Sequence, residues 1–443
     1  MRSPTKQFDL WRLFSPVTVA CLSASLSIVA FLLPESTYFS TLGEPKFVQW
    51  QVPLYVLISL GLFLTGYCLP NRIVVSVKVE EILKRRRAGE LFVSFVTTLL
   101  LLLILANVYV IATFAAQYGP TSLLQFAAQG QLASPEILGA RVESSSGVSW
   151  IVLAAPPIIS LAFWINWRKH GRLIPTFLLY SAALLSIIRP ALGGERAPLF
   201  VLLFSLAWLY VYYLHKTKKL GAIKAVFAAV LIISVSMALF FLFQYARAGS
   251  FGNISGSSPG SQLFGYIIGP FNRFASQILW GGPIPTSSGY YTFEFVRSFP
   301  ILNKLLPLEE WAQMITGFTP PYDPFAIWSY YGLNPYYNVM SVFGYTYVDF
   351  GWLGVSFFAV YGLLTRIVVN SLHAERVFGI MMCGPLVWTI SEWRGKLELT
   401  YYNFAVQVLL ASLIAAVALF LINFTPTWGQ LATGSHRGHG KGF

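Results

Sequence analysis

Residues 84–116 read KRRRAGELFVSFVTTLLLLLILANVYVIATFAA. Four consecutive bases precede a run, 91–116, that contains no charged side chain. A helix rises 1.5 Å per residue, so such a run covers the ~30 Å hydrocarbon core of a bilayer. The run is continuously apolar and does not alternate every second residue, which excludes a transmembrane β-strand. Its basic flank also carries orientation, because Lys and Arg accumulate in cytoplasmic loops.

Working outward, similar runs recur along all 443 residues. Hydrophobic residues make up 56% of the chain and charged residues 11%, with mean hydropathy +0.63. Soluble domains carry roughly 25% charge. The expectation is an all-α polytopic membrane protein with ten helical spans, at 16–34, 53–70, 91–116, 149–167, 173–192, 197–214, 220–244, 350–371, 377–392 and 399–423. Residues 1–244 then hold seven spans and 245–349 form one long external loop. Spans eight to ten occupy 350–423, and 424–443 form a disordered cytoplasmic tail.

Every second connection is basic: Lys84 to Arg87, then Arg168, Lys169 and Arg172, then Lys216, Lys218 and Lys219, then Arg366 and Arg376. With both termini inside, the inner side holds 20 of the 30 Lys and Arg and 5 of the 17 acids. The net charge of +13 follows this bias and excludes a nucleic-acid partner. Cys21, Cys68 and Cys383 all lie in apolar runs without metal or CxxC spacing. The first run has no A-x-A-like cleavage site and reads as a retained span.

The loop 245–349 is too long and too apolar for a plain connection. It opens on a Gly- and Ser-rich stretch, 249–260. The apolar piece 263–280 that follows is expected to be a re-entrant or interfacial helix. The remainder is rich in Pro and aromatics, suited to sugar rings or lipid headgroups.

Charges near the outer edge of the spans carry the functional information, because they are costly unless paired or solvated. Arg189, Glu195 and Arg196 flank the turn between spans five and six. Arginine clamps phosphate or carboxylate with two parallel hydrogen bonds, and two arginines here compete for one acid. Arg394 lies in the last outer turn with Glu392, Lys396 and Glu398, where mutual ion pairs compete with a binding role. Arg247 ends span seven against the orientation bias, and Arg273 interrupts an apolar piece, which demands an anionic partner. Tyr245, Asn272 and Tyr347 are candidate sugar contacts. Asp349 reads as an N-cap of span eight or as a catalytic carboxylate. Arg297 and Lys304 read as solvated charges, Asp323 as a turn former and Glu309-Glu310 as a solvated helix start.

GxSxG, HExxH and P-loop signatures are absent, and all five histidines fall on the inner side or in the tail. External chemistry must then rest on carboxylate, Tyr and Arg, without a metal site. That set suits glycosyl transfer from a lipid diphosphate. Arginines would neutralise the charge growing on the leaving diphosphate, and a carboxylate would take the acceptor proton.

Two segments resemble a known family. Gly193-Gly-Glu-Arg-Ala-Pro-Leu-Phe200 resembles the G-[GS]-x-R segment of bacterial oligosaccharide repeat-unit polymerases, the Wzy-type O-antigen, capsule and enterobacterial-common-antigen enzymes. Residues 344–354, with Gly344, Tyr347, Asp349, Gly351 and Gly354, resemble their G-x-x-Y-x-D-F-G-x-x-G segment. The resemblance implies a GT-C-like membrane glycosyltransferase without cofactor. It would join undecaprenyl-diphosphate-linked oligosaccharides on the outer face of the inner membrane, with a chain-length regulator as a partner. Arg196 matches the motif arginine and would hold diphosphate, and Arg394 corresponds to a family arginine by position; Arg189, Arg247 and Arg273 join them as diphosphate contacts on charge cost and not on a motif. The catalytic set would be Arg196, Arg394, Asp349 and Glu195. An O-antigen ligase shares these features, although an external histidine would be expected there. A lipid-linked oligosaccharide transporter should show broken helices.

Overall fold

The computed structural model describes residues 10–70, 73, 76–119, 121, 146–169, 173–192, 196–217, 221–248, 259–280, 287–297, 306–317, 328–334, 339–395, 399 and 402–424. Among these the secondary structure is helical, with one isolated antiparallel bridge between Lys78 and Arg376. The α-helices in chain order are α1 (Pro16–Leu32), α2 (Glu35–Leu42), α3 (Gln51–Cys68), α4 (Val79–Lys84), α5 (Arg86–Tyr118), α6 (Ser146–Leu153), α7 (Ala155–Lys169), α8 (Thr176–Leu192) and α9 (Arg196–Lys216). They continue with α10 (Ala222–Ala248), α11 (Pro259–Trp280), α12 (Glu294–Arg297), α13 (Leu308–Thr316), α14 (Val342–Phe350), α15 (Phe357–His373), α16 (Val377–Ser391) and α17 (Tyr402–Phe424). Short 3-10 helices cover Leu10–Phe14, Gly351–Ser356 and Glu392–Arg394.

Helix lies at each of the ten apolar runs, but the runs are not equivalent. Among the described residues five helical stretches are long and apolar enough to cross a membrane: Gln51–Cys68, Arg86–Gln117, Ala197–Lys216, Val342–His373 and Asn403–Phe424. A sixth is reached if α1 and α2, bent by 104°, count as one span. That bend has a sequence cause. Ser15 caps α1, accepting from the Thr18 amide at 3.2 Å, with Pro16 in the first turn. At the other end Leu33 precedes Pro34 and is extended, as a residue before proline prefers. The Lys46 ammonium donates to the Phe31 and Leu33 carbonyls at 2.7 and 2.6 Å, closing the helix end. Burial pulls the pKa of that ammonium down, against the opposing pull of Glu35.

The fourth run breaks at Ala154, between α6 and α7. Pro156 and Pro157 cannot donate to the carbonyls four residues back. The Leu153 carbonyl, which Pro157 leaves unbonded, accepts instead from the Gln407 side chain of α17 at 3.2 Å. The expected start of span eight also shifts. Helix begins at Val342, within the stretch expected to be loop, and continues through the 3-10 turn into α15. The apolar piece of the long loop becomes α11, a helix as expected, whose middle is buried between α1, α2, α3 and α14.

Helix α16 is the centre of the bundle. Thirteen of its fifteen residues are buried, so it is apolar on every face. At ~22 Å it is shorter than a bilayer core, and it is enclosed by α1, α7, α9, α15 and α17. Close packing around it relies on small residues, as in helix pairs that meet without a hydrophobic driving force. A Cβ on Gly384 would lie 2.4 Å from Ser205 Cα of α9. Helices α3 and α15 approach through Gly66 and Gly362. A Cβ there would sit 1.9 Å from the Ala359 carbonyl oxygen and 2.0 Å from that of Phe63.

At one end of the bundle the basic connections converge. Arg168 reaches Glu375 at 3.1 Å and Glu80 at 3.8 Å, and Lys216 reaches Glu375 at 3.6 Å. These residues come from the second, fourth, sixth and eighth connections, all expected on one side.

Gly362→Val should lower the melting temperature in detergent, because backbone stands where its side chain must go; overpacking of this kind costs about 1–3 kcal/mol. A melt unchanged from wild type would contradict the crossing.

Candidate functional site

The first motif segment lies at the opposite end from the basic cluster. Helix α8 carries Arg189 in its last turn, followed by Pro190. Residues 193–195, including Glu195, lie outside the described residues. Helix α9 starts at Arg196, with Pro198 in its first turn, where the missing N–H has no intrahelical partner to lose. The backbone of Arg196 places it at the helix's positive end, and its side chain is outside the described set.

Beside this junction is a small, partly open cavity. Arg189 lines it from α8, Ala197 and Pro198 from α9, Trp388 and Thr389 from α16, and Asn403 and Gln407 from α17. The α6–α7 break supplies a further wall through Leu153, Ala155 and Pro156. The arrangement is an apolar cleft with an arginine on its wall and a helix N-terminus at its edge. It could receive an anion carried on an apolar chain.

The second motif segment forms a corner, and each of its matched residues has a structural task. Gly344 faces Met340 and Phe274, where a Cβ would lie 2.3 Å from Met340 Cγ. Gly351 ends α14 with φ 58°, in the left-handed region. A Cβ on Gly354 would be 2.2 Å from the Thr346 carbonyl oxygen. Tyr347 packs edge-on against Tyr55 and Phe274, with ring centroids 5.7 and 5.8 Å apart. It belongs to an aromatic cluster that also includes Trp352.

Asp349 is 2% exposed and lies near the end of α14, so the N-cap expectation fails. One carboxylate oxygen accepts from the Ser287 hydroxyl and the Tyr291 amide, the latter at 3.2 Å. The other accepts from the Thr292 amide and hydroxyl, both at 2.6 Å. Four donors from residues 287–292 hold this carboxylate, which ties that segment to α14. A carboxylate so occupied is a poor general base, and Asp349 leaves the catalytic set.

Arg273 has the anionic partner its position demands, and that partner is protein. Arg273 and Glu44 are both 0% exposed, with Nη2 to Oε2 at 3.3 Å. Gly43, left-handed at φ 68°, turns the chain so that Glu44 enters the core. Arg273 also donates to the carbonyls of Gly269 and Asn334 and lies 5.8 Å from the Trp328 ring centroid. Asn272 donates to Glu44 at 3.0 Å and to the Pro45 carbonyl at 2.8 Å, and accepts from the Phe47 amide at 2.7 Å. The Asn334 amide completes the set on Glu44 at 3.0 Å. Arg273 and Asn272 therefore leave the diphosphate and sugar contacts expected of them: both are fully enclosed and bonded to protein groups.

Arg394 is 30% exposed and pairs with Glu392 at 3.1 Å. Its turn is anchored by buried Trp393, whose ring meets Phe63, Phe343 and Phe358. It packs on α1, α11 and α14 and does not line the cavity. Lys396, Glu398, Asp323 and Arg141 lie outside the described residues, as do the side chains of Tyr245, Arg247 and Arg297. The backbone puts Tyr245 and Arg247 in the last turn of α10, beyond the expected span end at 244. Glu309 and Glu310 do open a helix, α13, with Glu309 accepting from the Tyr290 hydroxyl.

Among the described residues of the candidate set, Arg189 and the start of α9 are thus brought together at a cavity. Sequence reading missed Glu44, which beside Lys46 resembles an ordinary solvated turn. It also missed Trp388 and Asn403, which carry no signal within apolar runs. No protein-family profile, curated protein or solved structure matches the chain. The family resemblance rests on the two motif segments alone.

Arg273→Met should destabilise the protein strongly, by roughly 3–5 kcal/mol, because it strands a buried carboxylate. Adding Glu44→Gln should recover part of the loss in a thermal melt; a single variant as stable as wild type would contradict the pair. Asp349→Asn presents an amide to donors that need an acceptor. It should cost about 1–3 kcal/mol and increase proteolytic cleavage within 287–297, and uncleaved, wild-type behaviour would remove the pinning role.

Proposed function

We propose that the chain is a multi-pass membrane glycosyltransferase that polymerises undecaprenyl-diphosphate-linked oligosaccharide units on the outer face of the bacterial inner membrane. The growing chain leaves its lipid diphosphate and is transferred to a sugar hydroxyl of the incoming unit. The observation that carries the reading is the cavity where Arg189 lies beside the helix opened by Arg196. Arginine and helix N-terminus together favour a diphosphate, and the surrounding apolar wall suits its lipid. The convergence of the basic connections at the far end supports an orientation with both termini inside and this cavity outside. The ten-span arrangement belongs to the same proposal, with α16 as a short span sheathed by its neighbours. Arg394 and Arg247 remain as outer contacts with diphosphate, and Glu195 as the acid beside Arg196. A chain-length regulator would be the protein partner.

One observation favours a transporter of the same lipid-linked oligosaccharide. The α6–α7 break at the cavity wall is the kind of discontinuity that transporters place at binding sites. Product analysis separates the two. Purified protein given lipid-linked repeat units should make a ladder of products on a gel. Arg196→Ala and Arg189→Ala, still folded by thermal melt, should slow the ladder by about 10²-fold or more, as loss of a transition-state charge partner does. No ladder from wild type with verified substrate would favour transport, and a ladder unaffected by both substitutions would move the site elsewhere.

A further inference from the structure

Two residues on the cavity wall carry buried polar atoms that the fold leaves unsatisfied. Trp388 Nε1 of α16 and Asn403 Oδ1 of α17 are buried, and neither has a hydrogen-bond partner. Both residues line the same cavity as Arg189. Leaving either atom unpaired costs free energy, about 1–3 kcal/mol for a buried neutral group. Three neighbouring polar side chains are already engaged. Thr389 donates to the Leu386 carbonyl at 2.7 Å, the Gln407 amide is held by Leu153, and Ser186 accepts from Asn107 at 3.2 Å. The Trp388 ring is fixed by stacking on Phe200, with centroids 5.7 Å apart and planes 6° from parallel, and by an edge contact with Phe204. Its N–H is therefore a fixed donor, and the Asn403 acceptor belongs to a different helix that lines the same cavity.

A donor and an acceptor carried by residues of one cavity wall match a group that both accepts and donates. A hydroxyl is the simplest such group, and a sugar next to a diphosphate presents several. Resting on the lipid-diphosphate reading of this cavity, we infer that Trp388 and Asn403 hold a hydroxyl of the sugar attached to the diphosphate, while Arg189 faces the phosphates. The indole N–H donates to the hydroxyl oxygen, and the hydroxyl proton is donated to the Asn403 carbonyl. No bond to carbon is made or broken by either residue. They set which sugar is accepted, because a sugar lacking that hydroxyl, or holding it in the other configuration, leaves both atoms unpaired.

The test measures binding of two ligands to the full chain in detergent: undecaprenyl diphosphate alone, and the same lipid bearing its oligosaccharide. Trp388→Phe removes the N–H and keeps an aromatic ring. Asn403→Leu removes the acceptor at similar volume. Each should weaken the glycosylated lipid roughly tenfold and leave the sugar-free lipid unchanged, whereas Arg189→Ala should weaken both. If both variants bind the glycosylated lipid as wild type does, or lose both lipids equally, the sugar contact is overturned while the lipid-diphosphate reading stands. If wild type binds neither lipid, the reading and the inference fall together.

Discussion

A charge shut away from water must be met by an opposite charge or by several aimed donors, because transfer from water without compensation costs more than a fold's net stability. The half of this protein opposite the basic cluster is organised by that constraint. Glu44 and Arg273 satisfy each other inside the molecule, with Asn272 and Asn334 completing the hydrogen bonds. The loop 42–47, helix α11 and the segment 328–334 meet there, although they are far apart in sequence. Asp349 does the same for α14 and residues 287–292. Helix α11 and these segments are therefore fixed to the helical body rather than hanging from it.

This constraint also sorts the arginines. Arg273 and Arg394 have carboxylate partners within the protein, and Arg189 lines a cavity at the start of α9. The motif segment around Asp349 builds the corner on which α14, α15 and the aromatic cluster of Tyr55, Phe274 and Tyr347 are assembled. In the proposed function the chemistry sits where α8, α9, α16 and α17 converge, and the corner keeps those helices in register. The close approaches at Gly66, Gly362 and Gly384 carry that register through the bundle.

The helices were legible because an apolar run about as long as a bilayer is thick leaves a backbone few alternatives. The alternation of basic connections was equally plain, and Arg168, Lys216 and Glu375 do gather at one end. The features that escaped the sequence depend on distant partners. Arg273 announced that it needed an anion, but nothing local named Glu44, 229 residues earlier. Asp349 looked like a cap because helix was expected to start after it, whereas α14 starts before it and continues through a glycine turn. The break at Ala154 was written in Pro156 and Pro157, and the apolar character of the run concealed it. Trp388 and Asn403 could not be distinguished from other aromatic and amide residues until two helices placed them in one cavity.

In the proposed function the lipid diphosphate is bound at the α8–α9 junction and not at the Asp349 corner. The most direct measurement is photocrosslinking of the purified protein with a diazirine-bearing undecaprenyl diphosphate, followed by mapping of the labelled peptides. Label is expected in the peptides that contain 186–202, 385–389 and 403–407, competed by unlabelled lipid. Label concentrated in 269–277 or 342–354, with none at the α8–α9 junction, would contradict that placement.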